Sequence, residues 1–152
     1  MRKIILPLLA SLVVATPALA NEARVEARAG VVWGGGDTDA IVGVAAGYDF
    51  DLGSAAFAGA EISVDKILTA ADNRVGVGFT GRLGAKTGVA KLYVDGGYTT
   101  KFCSLCDGTW NAGVGAEMPV AGNVYGKLGY KHYFIDNGTD GNSVIAGLGM
   151  KF

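Results

Sequence analysis

The chain has 152 residues, a formal charge of −1, half of its residues apolar, and 25 glycines against three prolines. That glycine load disfavours helices, and 13 basic residues against 14 acidic ones leave no electrostatic footprint for a nucleic-acid partner. A single histidine argues against a four-ligand zinc site within one copy, and no cofactor is expected.

Residues 1–20 read as a secretory signal peptide. Arg2 and Lys3 precede an apolar run from Ile4 to Ala15, and Ala18-x-Ala20 suits cleavage before Asn21. The run is too short to span a bilayer as a helix, which needs about 20 apolar residues. The mature chain, residues 21–152, carries 14 acidic and 11 basic residues, a formal charge of −3, and keeps only Pro119. It holds no long apolar block, so a membrane-spanning version must be a closed β-barrel in which every backbone polar group is paired.

Eight segments of about ten residues alternate with period two, and in each one parity is apolar or small. The first shows Val25, Ala27, Ala29, Val31 and Trp33; the second shows Ala40, Val42, Val44, Ala46, Tyr48 and Phe50, before a turn at 51–53. Ala56, Ala58, Ala60, Ile62 and Val64 follow, then Val75, Val77, Phe79 and Leu83, with a turn at 85–88. The fifth shows Leu92, Val94, Tyr98 and Phe102, and the sixth Trp110, Ala112, Val114, Ala116 and Met118, ending in a turn at 119–123. Val124, Leu128, Tyr130 and Phe134 mark the seventh, and Val144, Ala146, Leu148, Met150 and Phe152 the last. An even count suits a single-chain bacterial barrel. The predicted fold is an all-β, eight-stranded antiparallel up-and-down transmembrane β-barrel.

The opposite parity gathers Glu26, Arg28, Asp49, Glu61, Arg74, Arg82, Lys91, Asp95, Lys101, Glu117, Lys127, Lys131 and Lys151. In a narrow barrel these meet across the lumen, where buried charges persist only when paired, so Glu26, Glu61, Asp95 and Glu117 should each find an Arg or Lys. Such a lumen is filled by side chains rather than open, although its many glycines leave room for water. Alternation alone also fits a soluble lipocalin-like barrel with the apolar parity inside. Three features favour lipid outside: alanine-rich apolar positions, the alternating final strand that ends on Phe152, and a girdle of aromatics at strand ends, with Trp33, Phe102, Trp110 and Phe134 at one rim and Phe50 and Phe152 at the other. On this parity a lysine at Leu148 should cost far more than a serine at Gly149.

With a signal peptide, eight alternating segments and the ending Gly147-Leu-Gly-Met-Lys-Phe152, the chain resembles the small outer-membrane barrels of Gram-negative bacteria, the opacity-protein and OmpA-membrane-domain type, over its whole mature length. The resemblance implies an outer-membrane location with periplasmic termini, and Phe152 as the signal read by the barrel-assembly machinery. It also implies lipid and lipopolysaccharide as contacts; a monomer is expected. The connections near 34–39, 65–73, 103–109 and 135–142 then face outside, with Asp37, Asp39, Asp65, Asp72, Asp107, Asp136 and Asp140 against Lys66 alone.

Cys103 and Cys106 form a C-x-x-C pair that in an exported chain reads as a local disulfide, with free thiols or a metal as alternatives. His132 is the one candidate for histidine chemistry. Some barrels of this class modify lipid A, and the deacylase type would want a serine two positions on, where Phe134 stands; Ser143 across the last outer connection is the substitute. Gly76-Val-Gly-Phe-Thr-Gly81 matches G-x-G-x-x-G but no helix follows, so no dinucleotide site is expected. The segment 136–142 has the composition of a calcium loop without its spacing. The leading expectation is a non-enzymatic membrane barrel with a structural or surface-interaction role; a lipid A-modifying enzyme using His132, a narrow pore or lipid-binding barrel, and a soluble barrel are the alternatives.

Overall fold

A computed structural model describes residues 21–68, 73–100, 108–136 and 138–152. The signal segment, Phe102, Lys101, Cys103 and Cys106 lie outside these residues, as do Asp72 and Asp107. Eight strands follow in chain order: β1 (Glu22–Gly34), β2 (Asp37–Asp51), β3 (Ala56–Leu68), β4 (Asn73–Lys86), β5 (Lys91–Thr99), β6 (Thr109–Ala121), β7 (Val124–Phe134) and β8 (Gly141–Lys151). Each pairs antiparallel with the next, and β8 pairs with β1, so the sheet closes on itself.

Closure with tilted strands is visible in the register. Following partners around the barrel from Ala23 through Tyr48, Ala60, Gly81, Gly96, Ala112, His132 and Asn142 returns to β1 at Trp33, ten residues beyond the start. That stagger couples strand tilt to barrel width and leaves a lumen that side chains can fill.

Several strands outrun the expected ten residues, and the connections shrink accordingly. The 34–39 connection is a two-residue hairpin turn at Gly35 and Gly36, whose φ values of 63° and 96° glycine adopts without strain. Asp37 and Asp39 therefore belong to β2, and Asp65 and Lys66 to β3 rather than to an outer connection. At the opposite end Gly122 and Asn123 join β6 to β7, and the register shift between Pro119 and Ala121 sits where proline, lacking an N–H, interrupts the ladder least.

The apolar parity faces outward on every strand: Val44, Phe79, Leu83, Val94, Val114, Leu128 and Leu148 are all exposed. The charged parity is buried, with Asp49 at 0% and Arg24 at 1% exposure. A soluble barrel would need the reverse, so the inside-out alternative is overturned.

Candidate functional site

The lumen is the densest collection of chemistry in the molecule. At the end where β1 begins and β8 ends, Lys91 Nζ lies 2.6 Å from Glu22 Oε1 and 3.2 Å from Asp49 Oδ2, while Lys151 Nζ lies 2.5 Å from Glu117 Oε1 and 3.1 Å from Glu22. Arg82 grips Asp49 with two nitrogens and donates a third bond to Glu117 Oε2 at 3.1 Å. Its guanidinium sits between the rings of Phe57 and Tyr93, 5.2 and 5.1 Å from their centroids, a cation–π contact that helps replace lost water.

One layer deeper, Arg24 Nη2 meets Glu61 Oε2 at 2.7 Å with Glu26 and Asp49 at 3.6 and 3.7 Å. None of its N–H groups is aligned for a hydrogen bond, so charge rather than directed bonding holds it. Lys127 bridges Glu26 and Glu61 at 2.8 and 2.9 Å, and the Tyr125 hydroxyl donates to Glu26 Oε2 at 2.9 Å. Arg28 then donates to Glu61 at 3.0 Å and takes both oxygens of Asp65, which also accepts from Ser63. Above these, Lys131 lies 3.6 Å from Asp95 and 3.1 Å from the Thr80 hydroxyl.

Glu26, Glu61, Asp95 and Glu117 thus each have a cationic neighbour. The Arg74 side chain lies outside the described part. Five charged members were absent from the sequence reading: Glu22, Arg24, Asp65, and the Asp51–Lys86 pair. Each continues the parity of a residue already in the set: Glu26 for the first two, Glu61 for the third, Asp49 for Asp51 and Arg82 for Lys86. The described interior holds eight cations (Arg24, Arg28, Arg82, Lys86, Lys91, Lys127, Lys131, Lys151) and eight carboxylates (Glu22, Glu26, Asp49, Asp51, Glu61, Asp65, Asp95, Glu117). Several of the lumen glycines sit under packed charges, whereas Gly129 and Gly147 have room for a β-carbon. A β-carbon at Gly47 would meet the Arg24 guanidinium, and one at Gly59 or Gly43 would strike Asp49 or Asp65.

On the outer wall, His132 takes the outward parity of β7. Its Nδ1 lies 2.9 Å from Asn142 Oδ1, which also accepts from the Tyr130 hydroxyl at 2.6 Å, and its Nε2 lies 3.3 Å from Asp140. Ser143 faces the other way: it is fully buried in the lumen, its hydroxyl 3.4 Å from that of Tyr133. The His132 and Ser143 side chains are on opposite faces of the sheet, so this pair does not make a base and nucleophile. Trp33, Tyr98, Trp110, Tyr130 and Phe134 lie toward one rim and Tyr48, Phe50 and Phe152 toward the other, with Tyr98 and Trp110 edge to face at 5.3 Å.

A closed barrel with a charged, packed interior and an apolar exterior fits one known architecture. The fold is that of the eight-stranded transmembrane β-barrels. The N-terminal barrel domain of Pseudomonas aeruginosa OprF superposes with a TM-score of 0.61 at 14% identity, covering 86% of this chain and 97% of that one. Ail, the attachment invasion locus protein of Yersinia pestis, gives 0.58 at 11% identity over 88% and 99%. The outer membrane enzyme PagL gives 0.56 at 11% identity over 84% and 98%. No family model and no curated protein matches in sequence. An eight-stranded transmembrane barrel can host an enzyme or none, so the fold fixes the architecture and the sites must argue the activity.

Proposed function

We propose that this protein is an integral outer-membrane barrel of Gram-negative type, exported through its cleaved signal segment, with periplasmic termini and a non-enzymatic structural or surface-interaction role. The observation that carries the reading is the pairing of an apolar outer wall with a lumen whose described charges balance and interlock across strands from β1 to β8. A channel needs a connected polar path, whereas here Arg24, Asp49, Tyr125 and Phe57 are fully buried across the bore. The barrel acts as a sealed membrane plug whose outer rim is free to meet lipid, lipopolysaccharide or other surfaces. The acidic rim residues Asp37, Asp39, Asp136 and Asp140 are exposed or partly so, and ordinary solvation accounts for them.

Cell fractionation followed by electrophoresis with and without boiling tests the location: a heat-modifiable band in the outer-membrane fraction is expected, and a soluble periplasmic protein overturns the reading. Planar bilayers should stay electrically silent. Mass spectrometry of lipid A from cells with and without the gene should show identical species; a gene-dependent species would return the enzyme reading and direct attention to His132.

A further inference from the structure

Lys66 has an unusual address. It occupies the outward parity of β3, two residues before the strand ends at Leu68, at the same end of the barrel as Trp33, Trp110 and Phe134. Its cross-strand partners, Val42 and Val75, are exposed valines. Among the described outward-facing positions of the eight strands it is the one lysine or arginine.

Two further observations give that charge a context. The aromatics of this rim stand mainly on β1, β5, β6 and β7; in the sector formed by β2, β3 and β4 the described outward aromatic of this half is Phe79, the register partner of Tyr98 and four residues further from the strand end than Val75, so Lys66 stands nearer the rim than it does. Beside it lies a shallow, open depression of about 480 Å³, lined mainly by Val42, Val44, Val64, Val75 and the lysine itself, with the paired Arg28 and Asp65 also bordering it. An ammonium at headgroup depth beside an apolar recess complements a lipid whose anionic group is joined to acyl chains. The described carboxylates beyond the strand ends, Asp136 and Asp140, disfavour such a group on the β7–β8 side, and Asp37 and Asp39 take the lumen parity of β2 rather than the outward face that carries Lys66.

We infer that Lys66 and the adjoining hollow form a lipid site in which the ammonium holds a phosphate of lipid A and one acyl chain lies along Val42, Val64 and Val75. The inference rests on the outer-membrane reading above, which makes the facing leaflet the one built from lipopolysaccharide. Lysine suits the task because its compact charge binds phosphate as a point while its stem stays in the apolar wall.

The test is native mass spectrometry of the barrel released from micelles doped with purified lipid A, lipid A stripped of phosphate, or phosphatidylglycerol. The barrel should retain one lipid A, Lys66→Gln should lower retention about fivefold, and Lys66→Arg should keep it. Equal retention by Lys66→Gln, or of the phosphate-free lipid, overturns the site; equal retention of phosphatidylglycerol overturns its assignment to lipid A. The heat shift on gels is read for every sample. A wild-type barrel that never shifts in lipid overturns the membrane reading itself, whereas a shifted Lys66→Gln barrel with undiminished retention overturns the lipid site alone.

Discussion

The ring of Tyr93 lies over Gly115, its register partner on the neighbouring strand, so closely that a β-carbon at 115 would overlap the phenol. The same relationship recurs twice. Phe57 covers Gly84 and Tyr125 covers Gly149, each aromatic on an odd strand and each glycine on the strand that follows. Glycine is required there by close approach, not by backbone freedom. Gly115→Val should therefore destabilise the barrel by about 1–3 kcal/mol through overpacking. Gly96→Ala is the control, because a β-carbon at that outward position meets nothing nearer than 3.7 Å. Urea unfolding of both variants in lipid vesicles measures the difference, and equal midpoints would refute the packing argument.

Leu148 points outward from the middle of β8 with 59% exposure, and a lysine near the bilayer midplane costs about 2–4 kcal/mol. The expected comparison with a serine at Gly149 does not hold, since Tyr125 and the Val25 carbonyl occupy the space that a side chain at 149 would take. Gly147 is the proper comparator: it shares the lumen parity, and a β-carbon there would touch Glu26 at an ordinary 3.5 Å. Leu148→Lys should unfold at clearly lower urea than Gly147→Ser. Indistinguishable midpoints would mean that this face of β8 does not meet lipid.

Period-two alternation was strong enough to reveal the strands, their count and their inward parity, because burial on one face of a sheet leaves no other register. Strand ends were less legible: Asp65 looks like a loop residue until the turn shortens, and only then does its parity with Glu61 put it opposite Arg28. The lumen aromatics were hidden for another reason. Phe57, Tyr93 and Tyr125 break the rule that apolar residues face lipid, and what places them inside is a glycine one strand away, a pairing that sequence distance conceals. His132 and Ser143 show the reverse: their parities, outward with Tyr130 and Phe134 for the one and inward with Lys151 for the other, already place them on opposite faces of the sheet.

Arg28 and Asp65 form a doubly bonded pair that reaches from β1 to β3 across Gly43. Arg28→Met leaves Asp65 buried with its charge uncompensated by that guanidinium, and a loss of about 3–5 kcal/mol is expected. Adding Asp65→Leu removes the stranded charge and should recover most of it. A double-mutant cycle on urea midpoints reads the coupling, and simple additivity of the two single losses would show that the pair is not a unit.

Phe152 has a backbone role in the seam and a proposed role as an assembly signal, and substitution can separate them. Its backbone closes the seam, donating to the Ala23 carbonyl at 2.9 Å and accepting from the Ala23 N–H at 3.3 Å, while its ring, 63% exposed, stands outside the barrel. Phe152→Ser keeps both backbone bonds and removes only the ring. The purified variant refolded into vesicles should lose no more than about 1 kcal/mol, as expected for an exposed position away from packing. In cells, by contrast, its outer-membrane level should fall several-fold relative to wild type, on the proposal that the terminal aromatic is an assembly signal. Normal membrane levels with normal refolding would remove the signal role, and a large refolding defect would place the ring's contribution in stability instead.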